Sequence, residues 1–288
     1  MQLSTLPSDL ISVAWLIENI NDSELILLDA SYFMSALNRD GKTEWLEETI
    51  PGARYFDFDN RVCDQTSELP HMMPSVQLFE QEAQLLGINQ SSRVVVFDRL
   101  GIFSSPRVWW MFKSMGFNNI AVLDGGLNSW KEAGLPLSPG ELNSVTNKGD
   151  FVTQYQATLI ADKQTVLNAI EDNQFQIIDA RAESRFLGNV PEPRAGLRSG
   201  HIPTAKNLPF NRLIDNGKML SIEQLKPIYN KLIDKQDKSI FSCGSGVTAC
   251  VLALGATLCG YKNLSIYDGS WTQWGADKKL PLEKITEK

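Results

Sequence analysis

One unit is written twice in this chain of 288 residues, and that repetition limits the fold more than any other feature. Leu25-Ile26-Leu27-Leu28-Asp29-Ala30 returns as Phe175-Gln176-Ile177-Ile178-Asp179-Ala180, each after a helix-like segment, Val13 to Asn19 and Val166 to Glu171. Ile50-Pro51-Gly52-Ala53 returns as Ile202-Pro203-Thr204-Ala205. Val94-Val95-Val96-Phe97-Asp98 returns as Ser239-Ile240-Phe241-Ser242-Cys243. Asp124-Gly125-Gly126 with Trp130 returns as Asp268-Gly269-Ser270 with Trp274. Short β-prone runs alternate with helical stretches in both copies. That alternation predicts an α/β fold with two tandem domains, each a mainly parallel sheet with helices on both faces. Leu135-Pro136-Leu137-Ser138-Pro139-Gly140 punctuates the chain between the copies. The expected division is residues 1–137, a linker over 138–150, and residues 151–288.

The copies differ most at one position. Where the first has Asp98, the second has Cys243, followed by Gly244-Ser245-Gly246-Val247-Thr248-Ala249-Cys250. A cysteine at a strand end, a small-residue loop and an apolar helix from about Val251 to Leu258 make a backbone cup. Its glycines let successive N–H groups point at one spot, and the helix adds its positive end. Such a cup favours the thiolate, so Cys243 reads as a sulfur nucleophile. The plain alternative for an isolated cysteine is a small buried hydrophobe. Gly244, Ser245 and Gly246 have no packing value, which argues for the cup. After Asp98 comes Arg99-Leu100-Gly101-Ile102-Phe103-Ser104-Ser105, bulkier, with no nucleophile and no small-residue cradle. The first unit is therefore expected to be catalytically silent.

Composition narrows the alternatives. A net charge of −7 argues against nucleic acid or an anionic membrane as partner. No apolar run approaches spanning length, and Met1 to Leu16 lacks the pattern of a secretory signal or organelle presequence, so the expected compartment is the cytoplasm. The cysteines, Cys63, Cys243, Cys250 and Cys259, form no CxxC pair, and His71 and His201 are the only histidines. No metal site is expected from these spacings, and no nucleotide-binding fingerprint is present. Cys250 and Cys259 read as buried and inert, whereas Cys63 lies in a polar segment that reads as accessible. A cysteine phosphatase needs Arg six positions after its nucleophile, and Ala249 stands there.

Together, Cys243-Gly244-Ser245-Gly246-Val247-Thr248, Gly200-His201-Ile202-Pro203, Asp268-Gly269-Ser270 with Trp274, and in the first copy Asp124-Gly125-Gly126 with Trp130 and Pro106-Arg107-Val108-Trp109-Trp110, carry a family likeness. The chain resembles the two-domain rhodanese-like sulfurtransferases over nearly its full length, and among them those that use 3-mercaptopyruvate. Thiosulfate-using members carry basic residues after the nucleophile, where this chain has Gly244 and Ser245. The resemblance implies transfer of sulfur from 3-mercaptopyruvate to a thiol or cyanide through a persulfide on Cys243, with release of pyruvate and with no cofactor. Thioredoxin or a small thiol is the implied acceptor. A thiosulfate sulfurtransferase and a non-catalytic binding module are the competing readings.

Roles follow from the same likeness. Gly244, Gly246, Val247 and Thr248 line the donor site, and Ser245 activates the donor; Thr248 is equally readable as a helix cap. Four arginines lie between Asp179 and Arg198, and a carboxylate donor suits their planar forks. Residue chemistry alone does not choose among them, although Arg181, close behind Asp179, reads as structural. The resemblance selects Arg185 and Arg194, against ordinary surface solvation. It also implies that His71 relays a proton and that Asp59 orients it; a surface histidine and a turn aspartate are the alternatives. His201, in Gly-His-Ile-Pro, reads as structural.

Overall fold

The computed structural model describes residues 5–142, 145, 147–234 and 237–284. The chain divides into two compact units. The first comprises Met1–Gln65, Met73–Gln156 and Asn216–Met219; the second comprises Thr66–Met72, Ala157–Asp215 and Leu220–Lys288. Residues read as a linker are stitched onto the first unit: Thr49 and Ser138 exchange both backbone hydrogen bonds, and Gly149 and Phe151 donate to Gln84 and Ile88 carbonyls. Residues 143, 144 and 146 of that stretch lie outside the described residues.

The first sheet contains β1 (Leu10–Ile11), β2 (Leu25–Asp29), β3 (Arg54–Tyr55), β4 (Arg93–Phe97) and β5 (Ile120–Leu123). Its order is β1-β5-β4-β2-β3, all parallel. The second contains β6 (Ile160–Ala161), β7 (Phe175–Asp179), β8 (Lys206–Asn207), β9 (Lys238–Ser242) and β10 (Leu264–Tyr267). Its order, β6-β10-β9-β7-β8, is the same path, again all parallel. The central strand β4 is buried along its whole length, as a parallel strand covered on both faces must be. On one face Val95 and Phe97 join Leu16, Leu127 and Trp130. Val94 and Val96 are equally buried on the other face, and a separate aromatic cluster of Phe56, Phe79, Phe112, Phe117 and Phe151 fills out the unit's core.

The two copies share bonds as well as topology. Asp29 pairs in register with Phe97, and Asp179 with Ser242. Ala30 donates to Phe97, and Ala180 to Ser242. Gly52 and Thr204 take the same left-handed turn position, φ 77 and 66°. The Trp130 indole donates to the Pro136 carbonyl at 2.8 Å, and that of Trp274 to Pro281 at 2.7 Å. Ser12 and Asp162 cap corresponding helices, Val13–Asn19 and Lys163–Ile170, by accepting from the third residue on.

Asp29 and Asp179 end equivalent strands but meet different partners. Asp179 makes a buried ion pair with Arg181, 2.6 Å. Asp29 faces Arg99 at 3.8 Å, with Ser31 and Thr49 as hydrogen-bond donors. Burial outweighs those partners and pushes its carboxyl from 3.8 up to about 6. Its folded value lies above its unfolded value, so its stabilising contribution is complete below about pH 4 and is lost as pH rises through about 6. Two pH units correspond to about 3 kcal/mol. Asp29→Asn, compared with wild type by urea unfolding at pH 4.5 and 7, is expected to gain relative stability of that order at the higher pH. A difference independent of pH would show that Asp29 is ionised throughout.

Candidate active site

Strand β9 delivers Cys243 to a loop that opens the helix Ala249–Leu258, buried over nearly its whole length. Cys243, Ser245, Gly246 and Val247 are themselves buried, and Gly244 and Thr248 are partly buried. The loop is curled by bonds from the chain segment after β10. Ser270 Oγ accepts from the amides of Cys243 and Gly246, 3.1 Å each, and donates to the Tyr267 carbonyl at 2.8 Å. Trp271 N–H donates to the Cys243 carbonyl at 3.0 Å, and Thr272 holds the Gly244 carbonyl through its N–H and its hydroxyl, 2.9 and 2.5 Å. Gly246 takes φ 77°, which only glycine adopts freely. With the Cys243 and Gly244 carbonyls occupied, loop amides remain. Among the described residues, the N–H groups of Gly244, Ser245, Val247 and Thr248 have no protein acceptor. Thr248 occupies the N-cap position, but its side chain makes no capping bond, so the helix-cap reading is not realised.

The first unit shows what such a loop binds. Asp98, equivalent to Cys243, turns its carboxylate back into the loop. Oδ2 accepts from the amides of Phe103, Ser104 and Ser105 at 2.9 Å each and from Ser105 Oγ at 2.7 Å, while Oδ1 accepts from Leu100 at 2.9 Å. This bulkier loop, which lacks the small residues of the second, thus also surrounds an anion, one supplied by the chain itself. Bulky side chains do not prevent it, because amides do the binding and Gly101, at φ 96°, supplies the turn.

Ser270 was not singled out from the sequence as a site residue. It has φ 46°, where its counterpart Gly126 has φ 55°. A side chain at Gly126 would strike the Asp98 carbonyl at 2.2 Å. The second unit places a serine in this left-handed position, a conformation that L residues disfavour, and uses its hydroxyl to shape the loop. The Gly-to-Ser difference between the repeats was the available signal.

The four arginines separate cleanly. Arg181 is buried in a pair with Asp179 and Glu192, and lies over the Trp271 ring at 4.2 Å. Arg198 is spent on the carbonyls of Trp274, Gly275, Asp277 and Leu280. Arg185, on the helix Glu183–Leu187, is half-buried and tied to Glu192 at 2.5 Å. Arg194 is exposed and, among the described residues, has no carboxylate or carbonyl partner. A Cβ built on Gly244 would lie 3.5 Å from Arg185 Nη2 and 3.7 Å from Arg194 Nη1. Both guanidiniums therefore face the residue that follows Cys243.

His71, far away in sequence, packs within the second unit, where its Nδ1 lies 2.9 Å from Ser245 Oγ. It is buried and held at φ 62°. Asp59 belongs to the first unit and is partly buried; its carbonyl accepts from Cys63 Sγ at 3.1 Å. Cys63 is buried, not accessible as its polar neighbours suggested, and burial pushes its thiol up, with Asp59 adding to the effect. Cys250 and Cys259 are buried as expected. Cys250 Sγ donates a hydrogen bond to the Gly246 carbonyl at 3.2 Å. His201 is a core residue: it stacks on Phe186 at 3.8 Å, with Nδ1 2.8 Å from the Phe186 carbonyl.

Two parallel α/β units, a loop that opens a helix at the end of the central strand in each, and a cysteine in one of these loops define a rhodanese-like protein. The rhodanese-like domain family matches residues 12–133 and 162–277, and the chain belongs to it. Among curated relatives, the mouse 3-mercaptopyruvate sulfurtransferase is 40% identical over 92% of this chain and 91% of its own. The Arabidopsis thaliana thiosulfate/3-mercaptopyruvate sulfurtransferase 1, mitochondrial, is 38% identical over 96% of this chain and 78% of its own. The Escherichia coli crystal structure of SseA, a 3-mercaptopyruvate sulfotransferase, superimposes with a TM-score of 0.83 at 35% identity, covering 92% of this chain and 99% of that one. Among the described residues, no helix is long and apolar enough to cross a membrane.

Proposed function

We propose that this protein is a 3-mercaptopyruvate sulfurtransferase: Cys243 takes the donor's sulfur as a persulfide, pyruvate leaves, and a thiol or cyanide removes the outer sulfur. The observation that carries this is the placement of two guanidinium groups against Gly244, the residue next to the cysteine. A sulfur nucleophile and a carboxylate fork one residue apart suit a small donor with sulfur at one end and carboxylate at the other.

In the first step the Cys243 sulfur attacks the donor sulfur. The carbon–sulfur bond breaks, and its electron pair passes to the enolate of pyruvate. The proton lost from the donor thiol is carried through Ser245 and His71, whose hydrogen bond provides the path, and returned to the enolate. Arg194 and Arg185 hold the carboxylate throughout. The unpaired amides of Gly244, Ser245, Val247 and Thr248 receive the persulfide anion, as an oxyanion hole does. The first unit is silent because its cradle holds Asp98 in place of a nucleophile. We place the reaction in the cytoplasm, where a reducing thiol pool keeps cysteines as thiols and supplies acceptors such as thioredoxin or a small thiol.

The test is pyruvate release from 3-mercaptopyruvate with a thiol acceptor, run beside thiosulfate. Turnover of mercaptopyruvate at least about tenfold more efficient than that of thiosulfate is expected, because a planar guanidinium fork matches a carboxylate. Preference for thiosulfate would move the protein to the other donor class, and inactivity with both would leave a binding module.

A further inference from the structure

We infer that Glu192 is the residue that sets the charge of the donor site and orients Arg185, making it a determinant of donor specificity. The inference rests on the functional reading above. Glu192 is buried and carries three bonds from two arginines: Arg181 Nη1 at 2.9 Å, Arg185 Nε at 3.3 Å and Arg185 Nη2 at 2.5 Å. Arg181 is in turn fixed by both oxygens of Asp179, by the Gly200 carbonyl and by the Trp271 ring. Trp271 also donates to the Cys243 carbonyl. One rigid chain of contacts thus runs from the end of β7 through Arg181 and Glu192 to the Arg185 guanidinium at Gly244.

Its charge is informative. Asp179 and Glu192 stand against Arg181, Arg185 and Arg194, so the network carries one net positive charge, located on Arg194. A site with a single uncompensated cation suits a monoanionic carboxylate donor. Without the Glu192 charge the same site would present two, the complement of an inorganic dianion such as thiosulfate. A buried acid that cancels one arginine of a substrate-facing pair is costly to desolvate and adds little to folding. Its contribution lies in specificity.

Two variants separate charge from geometry. Glu192→Gln keeps a similar shape and removes the charge. The ratio of kcat/KM for thiosulfate to kcat/KM for 3-mercaptopyruvate is expected to rise about tenfold. Glu192→Asp keeps the charge but is one methylene too short to span both arginines. Its KM for mercaptopyruvate is expected to rise about fivefold with kcat within about twofold, and the donor ratio unchanged. A ratio unmoved in Glu192→Gln would overturn the charge-setting role, and an unmoved KM in Glu192→Asp would overturn the positioning role. Alkylation of Cys243 by iodoacetate against iodoacetamide, followed by mass spectrometry, reads the same field without turnover. The anionic reagent is expected to gain at least about threefold over the neutral one in Glu192→Gln, and no gain counts against the inference. A wild type that turns over neither donor ends the functional reading alone, and the alkylation ratio still decides Glu192.

Discussion

Replacing Cys243 with serine is expected to abolish sulfur transfer, lowering kcat/KM for 3-mercaptopyruvate by at least about 10⁴-fold, or more than about 5 kcal/mol of transition-state stabilisation. The hydroxyl that replaces the thiol is less polarisable and cannot hold a transferable sulfur atom, so the first covalent step has no equivalent. The change is nearly isosteric at a buried position, and the Ser270 and Trp271 bonds to the backbone of residue 243 do not involve the side chain. The fold should therefore persist, with Tm within about 4 °C of wild type. Mass spectrometry supplies the second readout: wild type incubated with donor gains the mass of one sulfur on the peptide containing Cys243, and the serine variant gains none. Residual activity near wild type would mean that the sulfur passes elsewhere, and neither Cys250 nor Cys259 is exposed enough to take it.

Asp98→Ala should produce the largest loss of stability of any single change considered. Asp98 is almost fully buried, and its carboxylate satisfies four amides and one hydroxyl. Removing it leaves those donors facing one another in a water-poor loop at the start of the helix Ser105–Ser114, whose positive end gains no counter-charge. Donors left without partners cost about 1–3 kcal/mol each when no relaxation occurs. Allowing for relaxation and water entry, the expected loss is about 4 kcal/mol, or a fall of about 2 M in the urea midpoint. Asp98→Asn keeps one acceptor oxygen and should lose about half as much. A midpoint within about 0.5 M of wild type for the alanine variant would mean that solvent or a bound anion replaces the carboxylate. Phosphate or sulfate should then stabilise the variant more than wild type.

The duplicated strand, turn and tryptophan motifs made the two parallel units legible from the sequence, because period, turn residues and chain order are local properties. Cys243 and its loop were legible for the same reason: the glycines that let amides converge are adjacent in the chain. The arginines were not. Arg181, Arg185, Arg194 and Arg198 lie within one short stretch, and only their distant partners, Asp179, Glu192, the carbonyls of residues 274–280 and Gly244, distinguish a core ion pair from a free fork. Cys63 read as accessible from its polar neighbours, yet it is buried, because burial follows from packing at a distance.

By itself, then, the sequence determined the α/β repeat, the placement of Cys243 at a strand end in the second copy, and the small-residue loop behind it. Tertiary structure decided what fills each loop: the Asp98 carboxylate in the first unit, and in the second a set of amides left unpaired by the hold of Ser270, Trp271 and Thr272. It also decided that His71 meets Ser245 across 174 residues of chain, and that Glu192 ties up Arg185 while Arg194, among the described residues, has no carboxylate partner. The physical reason is that backbone geometry is encoded by neighbours in the chain. The pairing of charges and hydrogen-bond donors is settled by whichever partners the fold brings within about 3 Å, at any sequence separation.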